Sequence, residues 1–243
     1  MVFRNYMVIG HRGYTEKYPE NTVESFKDAF EKGCDAVEMD VHLTNDGYIL
    51  VHHDFNIKRM TNVDLYIEES KYSEIKNVKI RGKFKIPLLE NVFRLFPDKK
   101  LFVELKTVTD DGKLIDNGLE EAVYEMIKRF DRFDNTWVIS FNPISLQTMK
   151  GITTEISLGL DYDMNSQKYI GEVTPSDLKS MGIDSFLPDV RSFSTEKYRN
   201  FRENGIEVYP WPVDSAEVAA IAVKNMASGL ITNKCAEILK TEL

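Results

Sequence analysis

The stretch 36–42 carries ionisable side chains at every second position. Because the side chains of a β-strand point alternately to opposite faces, Glu38, Asp40 and His42 would share one face, and the apolar residues between them would share the other. An unpaired carboxylate is costly inside a protein unless a metal ion or hydrogen bonds hold it. The spacing therefore indicates a site of chemistry rather than packing alone.

A second stretch, 101–106, repeats this pattern, with Glu104 and Lys106 on one face and leucine and valine on the other. Three carboxylates on neighbouring strands offer the hard oxygen donors that suit Mg²⁺ or Ca²⁺, and Mn²⁺ is also compatible. The alternative is a buried salt-bridge network with Lys106, Arg12 and a histidine, but buried ion pairs stabilise a fold only weakly. The predicted ligands of the divalent metal are Glu38, Asp40 and Glu104.

Histidines stand where predicted strands end. His11 follows the first strand, and His52 and His53 end the return strand of a predicted hairpin. Histidine titrates near neutral pH, so these positions beside a carboxylate cluster suggest an acid/base pair. On the return strand His53 shares a face with Val51, so His52 and His53 cannot both point at one site. For His52 a structural role is the favoured interpretation.

The elements that must position these residues form a series of strands, each followed by a helix, which is typical of a parallel sheet. Setting aside the hairpin's return strand (48–53), we predict eight strands, and eight such units close a barrel with its active site at the strands' carboxyl ends. The expected fold class is α/β, a (β/α)8 TIM barrel, with the whole chain, 1–243, as a single domain. The predicted strands are 7–9, 36–44, 101–106, 136–141, 156–160, 183–187, 206–211 and 229–232.

The predicted helices alternate with these strands. The first one ends at Gly33, and Asn21 and Thr22, followed by Glu24, form a capping-box-like start in which we expect Asn21 and Glu24 to be caps. The later helices are predicted at 87–96, 119–130, 143–150, 175–181, 195–204, 216–225 and 234–241.

Composition excludes several classes of protein. The 31 basic and 39 acidic side chains give a net charge of −8, which argues against a nucleic-acid partner. The longest apolar run, 218–223, is too short for a membrane span, and no signal peptide is visible, so we expect a cytoplasmic location. Cys34 and Cys235 are too few for a disulfide scaffold and are expected to be buried thiols. Nothing in the sequence indicates an oligomeric state.

The segment 55–86 is too long for an ordinary connection within a β/α unit and is predicted to be a small insertion after the second barrel strand. It holds eight basic and four acidic side chains, a net charge of +4 within an acidic chain. We expect either a small cap whose positive field attracts an anionic ligand or a solvated surface loop.

A long stretch of the sequence resembles the opening signature of the glycerophosphodiester phosphodiesterase family. It runs IGHRGYTEKYPENTVESFKDAFEKGCDAVEMDVHLTNDGYILVHHD, and the similarity continues in IPLLE (86–90), FVELK (102–106), SF (140–141), PWPVD (210–214) and LITN (230–233). These pieces follow the family order and cover most of the chain, so the resemblance is more specific than any single motif. Two departures, Pro212 and Cys235, lie outside the metal and histidine set.

This resemblance implies a β/α barrel that binds a divalent metal and hydrolyses small-molecule glycerophosphodiesters to glycerol 3-phosphate and an alcohol. The alternatives are a related barrel phosphodiesterase of phospholipase C or D type, or a non-catalytic metal-dependent binding module. An enolase-like or aldolase-like barrel is disfavoured, because carboxylates beside Lys106 would keep its amine charged. By resemblance, the metal ligands are Glu38, Asp40 and Glu104, the acid/base pair is His11 and His53, the phosphate contacts are Arg12 and Lys106, and Trp211 lines the mouth.

Overall fold

A computed structural model describes residues 4–109 and 111–241 of the chain. Eight parallel strands form a nearly closed barrel, in which the first strand of the chain pairs with the second and with the last, and backbone bonds such as Ile231 N–H to Pro210 O, 3.0 Å, bring the two edge strands together. The predicted TIM barrel is thus confirmed. In chain order the strands are β1 (Met7–Gly10), β2 (Ala36–Leu43), β3 (Ile49–Val51), β4 (Lys79–Ile80), β5 (Phe84–Lys85), β6 (Lys100–Leu105), β7 (Thr136–Ser140), β8 (Ser157–Tyr162), β9 (Ser185–Pro188), β10 (Glu207–Val208) and β11 (Gly229–Thr232).

Helices connect the strands on the outside of the barrel. We did not predict α2, α3 and α7. The helices are α1 (Val23–Lys32), α2 (Lys58–Thr61), α3 (Tyr72–Ile75), α4 (Leu89–Leu95), α5 (Leu119–Arg129), α6 (Pro143–Ile152), α7 (Met164–Ile170), α8 (Pro175–Met181), α9 (Tyr198–Glu203), α10 (Ala216–Lys224) and α11 (Cys235–Ile238). No helix among the described residues is long and apolar enough to cross a membrane.

The start of α1 agrees with the predicted capping box at Thr22 and differs at its other two residues. Thr22 is the N-cap, and its hydroxyl accepts from the backbone N–H of Ser25 at 3.1 Å, while Ser25 Oγ accepts in return from the Thr22 N–H. Asn21 and Glu24 are therefore not the caps. At the other end Gly33 has φ of 100°, a left-handed conformation that glycine adopts without strain, as expected for a helix C-cap.

Strand alternation divides the apolar residues into two layers. Val37, Met39 and Val41 belong to the large cluster between barrel and helices, whereas Phe102 and Ile139 belong to a small cluster inside the barrel. The ionisable side chains of β2 and β6 must therefore point inward, above this small inner core. Both predicted thiols are buried.

The segment 55–86 folds over the hairpin that β3 makes with β2. It contains α2, α3 and the antiparallel pair β4–β5. Its apolar side chains form their own cluster, which includes Ile57, Ile67 and Ile80 and also takes in Leu50 of β3. The positive charges of this segment are thus carried by a folded unit with a core.

Candidate active site

Three carboxylates meet at the carboxyl ends of β2 and β6. Asp40 lies directly beside Glu104 in the parallel pairing of these strands. One oxygen from each of Glu38, Asp40 and Glu104 lies within 4.8 Å of the others, and all three side chains are buried. Asp40 Oδ1 is buried without a hydrogen-bond partner. An all-oxygen donor set with a free lone pair on Asp40 fits a hard divalent cation such as Mg²⁺ or Ca²⁺.

Two cations flank the carboxylates. Lys106 Nζ lies 2.9 Å from Glu104 Oε1 and 3.6 Å from Asp40 Oδ1. Arg12 Nε lies 3.4 Å from Asp40 Oδ2, and the Arg12 backbone N–H donates to Glu38 Oε2 at 2.9 Å. Arg12 has φ of 54°, so the turn after β1 brings both its side chain and its amide to the cluster.

The charges in this cluster are unevenly balanced. Burial, followed by the charges of Asp40 and Glu104, raises the pKa of Glu38 well above its usual range. Burial alone would also raise the pKa of Asp40, but Arg12 and then His53 and Lys106 hold it well below its usual value. The cluster thus gathers three carboxyl groups around two cations, and a bound divalent cation would favour the charged form of Glu38.

The two predicted catalytic histidines each use one ring nitrogen for a fixed contact. His11 Nδ1 lies 2.9 Å from Asn233 Oδ1, and His11 Nε2 lies 4.0 Å from Glu38 Oε2. His53 Nδ1 lies 2.7 Å from Asp54 Oδ1. Since an amide or carboxylate oxygen only accepts, each Nδ1 carries the proton, and each Nε2 is left to face the cavity.

The other two histidines serve the backbone around His53. His52 is buried outside the cavity, and its Nδ1 lies 2.9 Å from the Asp54 carbonyl oxygen and 3.1 Å from the Asp54 backbone nitrogen. His42 donates from Nε2 to the carbonyl oxygen of His53 at 3.1 Å, and its Nδ1 lies 2.6 Å from Glu68 Oε1. The two neighbours His52 and His53 thus point to different places, as their alternation predicts.

These groups open into one cavity of about 400 Å³. Phe141 and Trp211 stand edge to face on its wall, with ring centroids 5.7 Å apart, and the Trp211 indole donates to Leu187 O at 2.7 Å. Asp40 lies just beneath the lining, and the described lining includes no residue from 55–86. The predicted site residues that line the cavity are His11, Arg12, Glu38, His53, Glu104, Lys106 and Trp211.

Sequence reasoning missed four residues of this site. Asn21, which we expected to be a helix cap, donates from Nδ2 to Asp40 Oδ2 at 2.7 Å. Asn233 and Asp54 orient the two histidines, and both lie in motifs noted above, so a search for polar neighbours at strand ends could have found them. Asp161 lines the cavity from β8; it directly follows the predicted strand 156–160, and continuing the alternation of that strand by one residue would have placed it inward.

A barrel with ionisable groups gathered at the carboxyl ends of its strands is an enzyme architecture. Residues 11–237 match the family model described as "Glycerophosphoryl diester phosphodiesterase family". The glycerophosphodiester phosphodiesterase of Caldanaerobacter subterraneus subsp. tengcongensis is 32% identical over 235 residues, which cover 93% of both chains. The chain therefore belongs to the glycerophosphoryl diester phosphodiesterase family and is an enzyme of that family.

Solved structures share the fold over nearly the whole chain. The glycerophosphodiester phosphodiesterase of Thermotoga maritima has a TM-score of 0.81 at 27% identity, covering 99% of this chain and 100% of that one. A phosphodiesterase of Oleispira antarctica, solved with the product sn-glycerol-3-phosphate, has a TM-score of 0.81 at 23% identity, covering 97% and 96%.

Proposed function

We propose that this enzyme hydrolyses glycerophosphodiesters to glycerol 3-phosphate and an alcohol, with a divalent metal and a pair of histidines. The observation that carries the proposal is the position of His11 and His53 on the same cavity as the buried carboxylate cluster, in a chain whose family match runs from residue 11 to residue 237. We further propose that residues 1–243 act as one domain with 55–86 as a small insertion.

The metal would be held by Glu38, Asp40 and Glu104, which lie close enough together to share one ion. Mg²⁺ or Ca²⁺ suits these oxygen donors, and Mn²⁺ is compatible. Such an ion supplies Lewis acidity toward the phosphoryl group. Asn21 keeps Asp40 in place through its hydrogen bond.

His11 is the proposed general base. Its Nδ1–H donates to Asn233, so the lone pair on Nε2 faces the cavity. Burial, and then the charge of Arg12, lowers the pKa of His11 to about 4, so the ring is neutral at pH 7. In this state Nε2 accepts the proton from the attacking oxygen, which belongs either to water or to the neighbouring glycerol hydroxyl of the substrate.

His53 is the proposed general acid. Its Nδ1–H donates to Asp54, and Arg59 in turn donates to Asp54 Oδ1 at 3.1 Å, so the carboxylate is held in one place. As an imidazolium, His53 donates Nδ1–H to Asp54 and carries a second proton on Nε2. The Nε2–H of that imidazolium protonates the departing alkoxide oxygen as the phosphorus–oxygen bond breaks.

Arg12 and Lys106 are the proposed phosphate contacts. Both side chains line the cavity, and each lies next to a carboxylate that stabilises its positive charge. Burial alone would lower the pKa of Lys106, but Glu104 and Asp40 raise it above its usual value. A charged Lys106 offsets negative charge on the phosphoryl oxygens and excludes the Schiff-base chemistry that a neutral amine would allow.

The proposed function is tested by incubating the metal-free protein with glycerophosphocholine and adding Mg²⁺, Ca²⁺ or Mn²⁺. We expect glycerol 3-phosphate and choline to appear only with metal. Release of choline phosphate would instead identify a phospholipase C type of cleavage, and metal binding without any product would identify a binding module. Phosphorus NMR of the reaction would reveal a cyclic phosphate if the substrate's own hydroxyl attacks.

We also propose a cytoplasmic location, which agrees with the free thiols of Cys34 and Cys235, since the cytoplasm keeps thiols reduced. Fractionation of the source cells tests it, and recovery of the protein outside the cytoplasmic fraction would contradict it.

A further inference from the structure

Asp161 is a carboxylate at the catalytic cavity that the proposed reaction does not use. It lies near the carboxyl end of β8, and its neighbours Leu160 and Tyr162 pack in the outer apolar layer. Since strand side chains alternate, Asp161 points into the barrel mouth, where it lines the cavity and is only 4% exposed.

No described group holds this carboxylate. Asp161 Oδ2 is buried without a hydrogen-bond partner. The metal cluster does not include it, because the oxygens that lie within 4.8 Å of one another belong to the three other acids. By contrast, Glu38 accepts from the Arg12 amide and Glu104 from Lys106. A buried, unpartnered carboxylate costs stability, so a ligand is the natural explanation for it.

Two aromatic rings that contact each other edge to face, those of Phe141 and Trp211, line the same cavity as Asp161. Ser140 pairs with Leu160 in the register of β7 and β8, so Phe141 and Asp161 come next on adjacent strands. On the other side Leu187 is the register partner of Asp161, and the Trp211 indole is bonded to the Leu187 carbonyl. Aromatic faces next to a carboxylate are the groups that recognise a substituted ammonium ion.

The charge at the site also favours a cationic group. The three proposed metal ligands carry −3, while Arg12, Lys106 and a divalent ion would carry +4, and the His53 imidazolium cancels the Asp54 carboxylate. A monoanionic phosphodiester then brings this set of charges to zero. An ionised Asp161 adds −1, which one positive charge on the alcohol part would neutralise. Burial, and then Glu104 and Glu38, raise the pKa of Asp161 in the ligand-free protein. The positive charge of the metal and the ligand opposes this effect and favours the carboxylate.

We propose that Asp161, together with Phe141 and Trp211, forms a subsite for an ammonium group on the alcohol part of the diester. This inference rests on the proposed function. The substrates that the enzyme prefers would then be zwitterionic diesters such as glycerophosphocholine and glycerophosphoethanolamine. Glycerophosphoglycerol, whose alcohol is neutral, leaves this subsite without its charge partner.

The test compares kcat/KM for these three diesters in the metal-loaded wild-type enzyme and in Asp161→Asn. We expect kcat/KM to fall about tenfold for the choline and ethanolamine diesters and to change less than about twofold for glycerophosphoglycerol, since only the first two lose a charge-assisted contact. Phe141→Leu keeps an apolar side chain but loses the aromatic face, and it should reduce kcat/KM selectively for the choline diester.

Asp163→Asn is the matched control. Asp163 lines the same cavity, but its Oδ1 caps α7 by accepting from the backbone N–H of Asn165 and Ser166. The Asp163→Asn variant removes the same charge two residues away from Asp161, and it should leave the ratio of the kcat/KM values for the three diesters unchanged. Melting temperature and metal titration confirm that each variant is folded and loaded.

Two results would overturn the subsite. One is an equal loss for all three diesters in Asp161→Asn, which would place Asp161 at the shared glycerophosphate part. The other is the same change of ratio in Asp163→Asn, which would reflect the general field of the cavity. If the wild-type enzyme hydrolyses none of the three, the proposed function itself fails, and that outcome is distinct from both.

Discussion

Replacing the histidines one at a time tests the proposed division of labour at the active site. His11 and His53 each present Nε2 to the cavity, whereas His52 is buried beside it, and its described hydrogen-bond contacts are with the backbone of Asp54. We therefore expect His11→Ala and His53→Ala to reduce kcat severely with little change in metal affinity. His52→Ala should have a much smaller effect, even though it lies next to His53 in the sequence.

The magnitudes follow from these contacts. Loss of one positioned proton transfer costs about 10²- to 10⁴-fold in rate, or roughly 3 to 5 kcal/mol. His52→Ala loses the hydrogen bond between its Nδ1 and the Asp54 backbone, which is worth about 1 kcal/mol. If all of that energy reached the transition state through Asp54 and His53, the rate would fall by only about fivefold. The two neighbouring variants should thus differ by at least about twentyfold.

The leaving group separates the acid from the base. A glycerophosphodiester of p-nitrophenol releases an oxyanion that departs without protonation, so His53→Ala should recover most of its activity on this substrate. His11→Ala should stay impaired on both substrates, because the attacking oxygen still needs a base. Stopped or continuous assays of choline and nitrophenol release measure this. A larger loss in His52→Ala than in His53→Ala, or recovery in His11→Ala alone, would refute the assignment.

Three further predictions concern the metal, a buried histidine and the basic segment. Chelation should lower the melting temperature by about 5 to 10 °C, since metal at a hundred times its Kd adds about 2.7 kcal/mol to the free energy of unfolding. Asp40→Asn or Glu104→Gln should abolish the metal binding that calorimetric titration detects. Full activity in excess chelator would contradict the predicted metal dependence. Burial lowers the pKa of His52 from 6.5 to about 4, so between these pH values the unfolded chain is protonated at His52 and the folded protein is not. The free energy of unfolding should therefore fall by about 3 kcal/mol as the pH drops from about 6.5 to about 4. In denaturant unfolding, the stability of His52→Gln should depend less on pH than that of the wild-type protein. Parallel curves of stability against pH for the two proteins would contradict a neutral, buried His52. Charge reversal on the segment 55–86 should lower kcat/KM at low salt and flatten its salt dependence with kcat unchanged, whereas an unchanged kcat/KM in the folded variant would favour the solvated loop. The reversed residues are Lys79, Arg81, Lys83 and Lys85.

The sequence alone determined the barrel and the rows of side chains that face its mouth. Alternation in 36–42 and 101–106 assigns every second residue to the inner face, because a strand has a period of two residues whatever surrounds it. Repetition of strand and helix patterns predicts a closed parallel sheet, and closure places all carboxyl ends at one rim. Both conclusions depend on local periodicity and on a general rule of topology, so no partner residue had to be identified.

Only the tertiary structure decided which polar groups meet across that rim. Asn233 is 222 residues from His11, and Asn21 lies 19 residues from Asp40, yet each holds its partner through a side-chain hydrogen bond. Local patterns assigned Asn21 to a helix cap, since a cap and a site residue look alike until the strand beside it is placed. The isolated position of Asp161 is likewise a property of its surroundings. Such pairings depend on the curvature and register of the closed barrel, and no local period of the sequence encodes them.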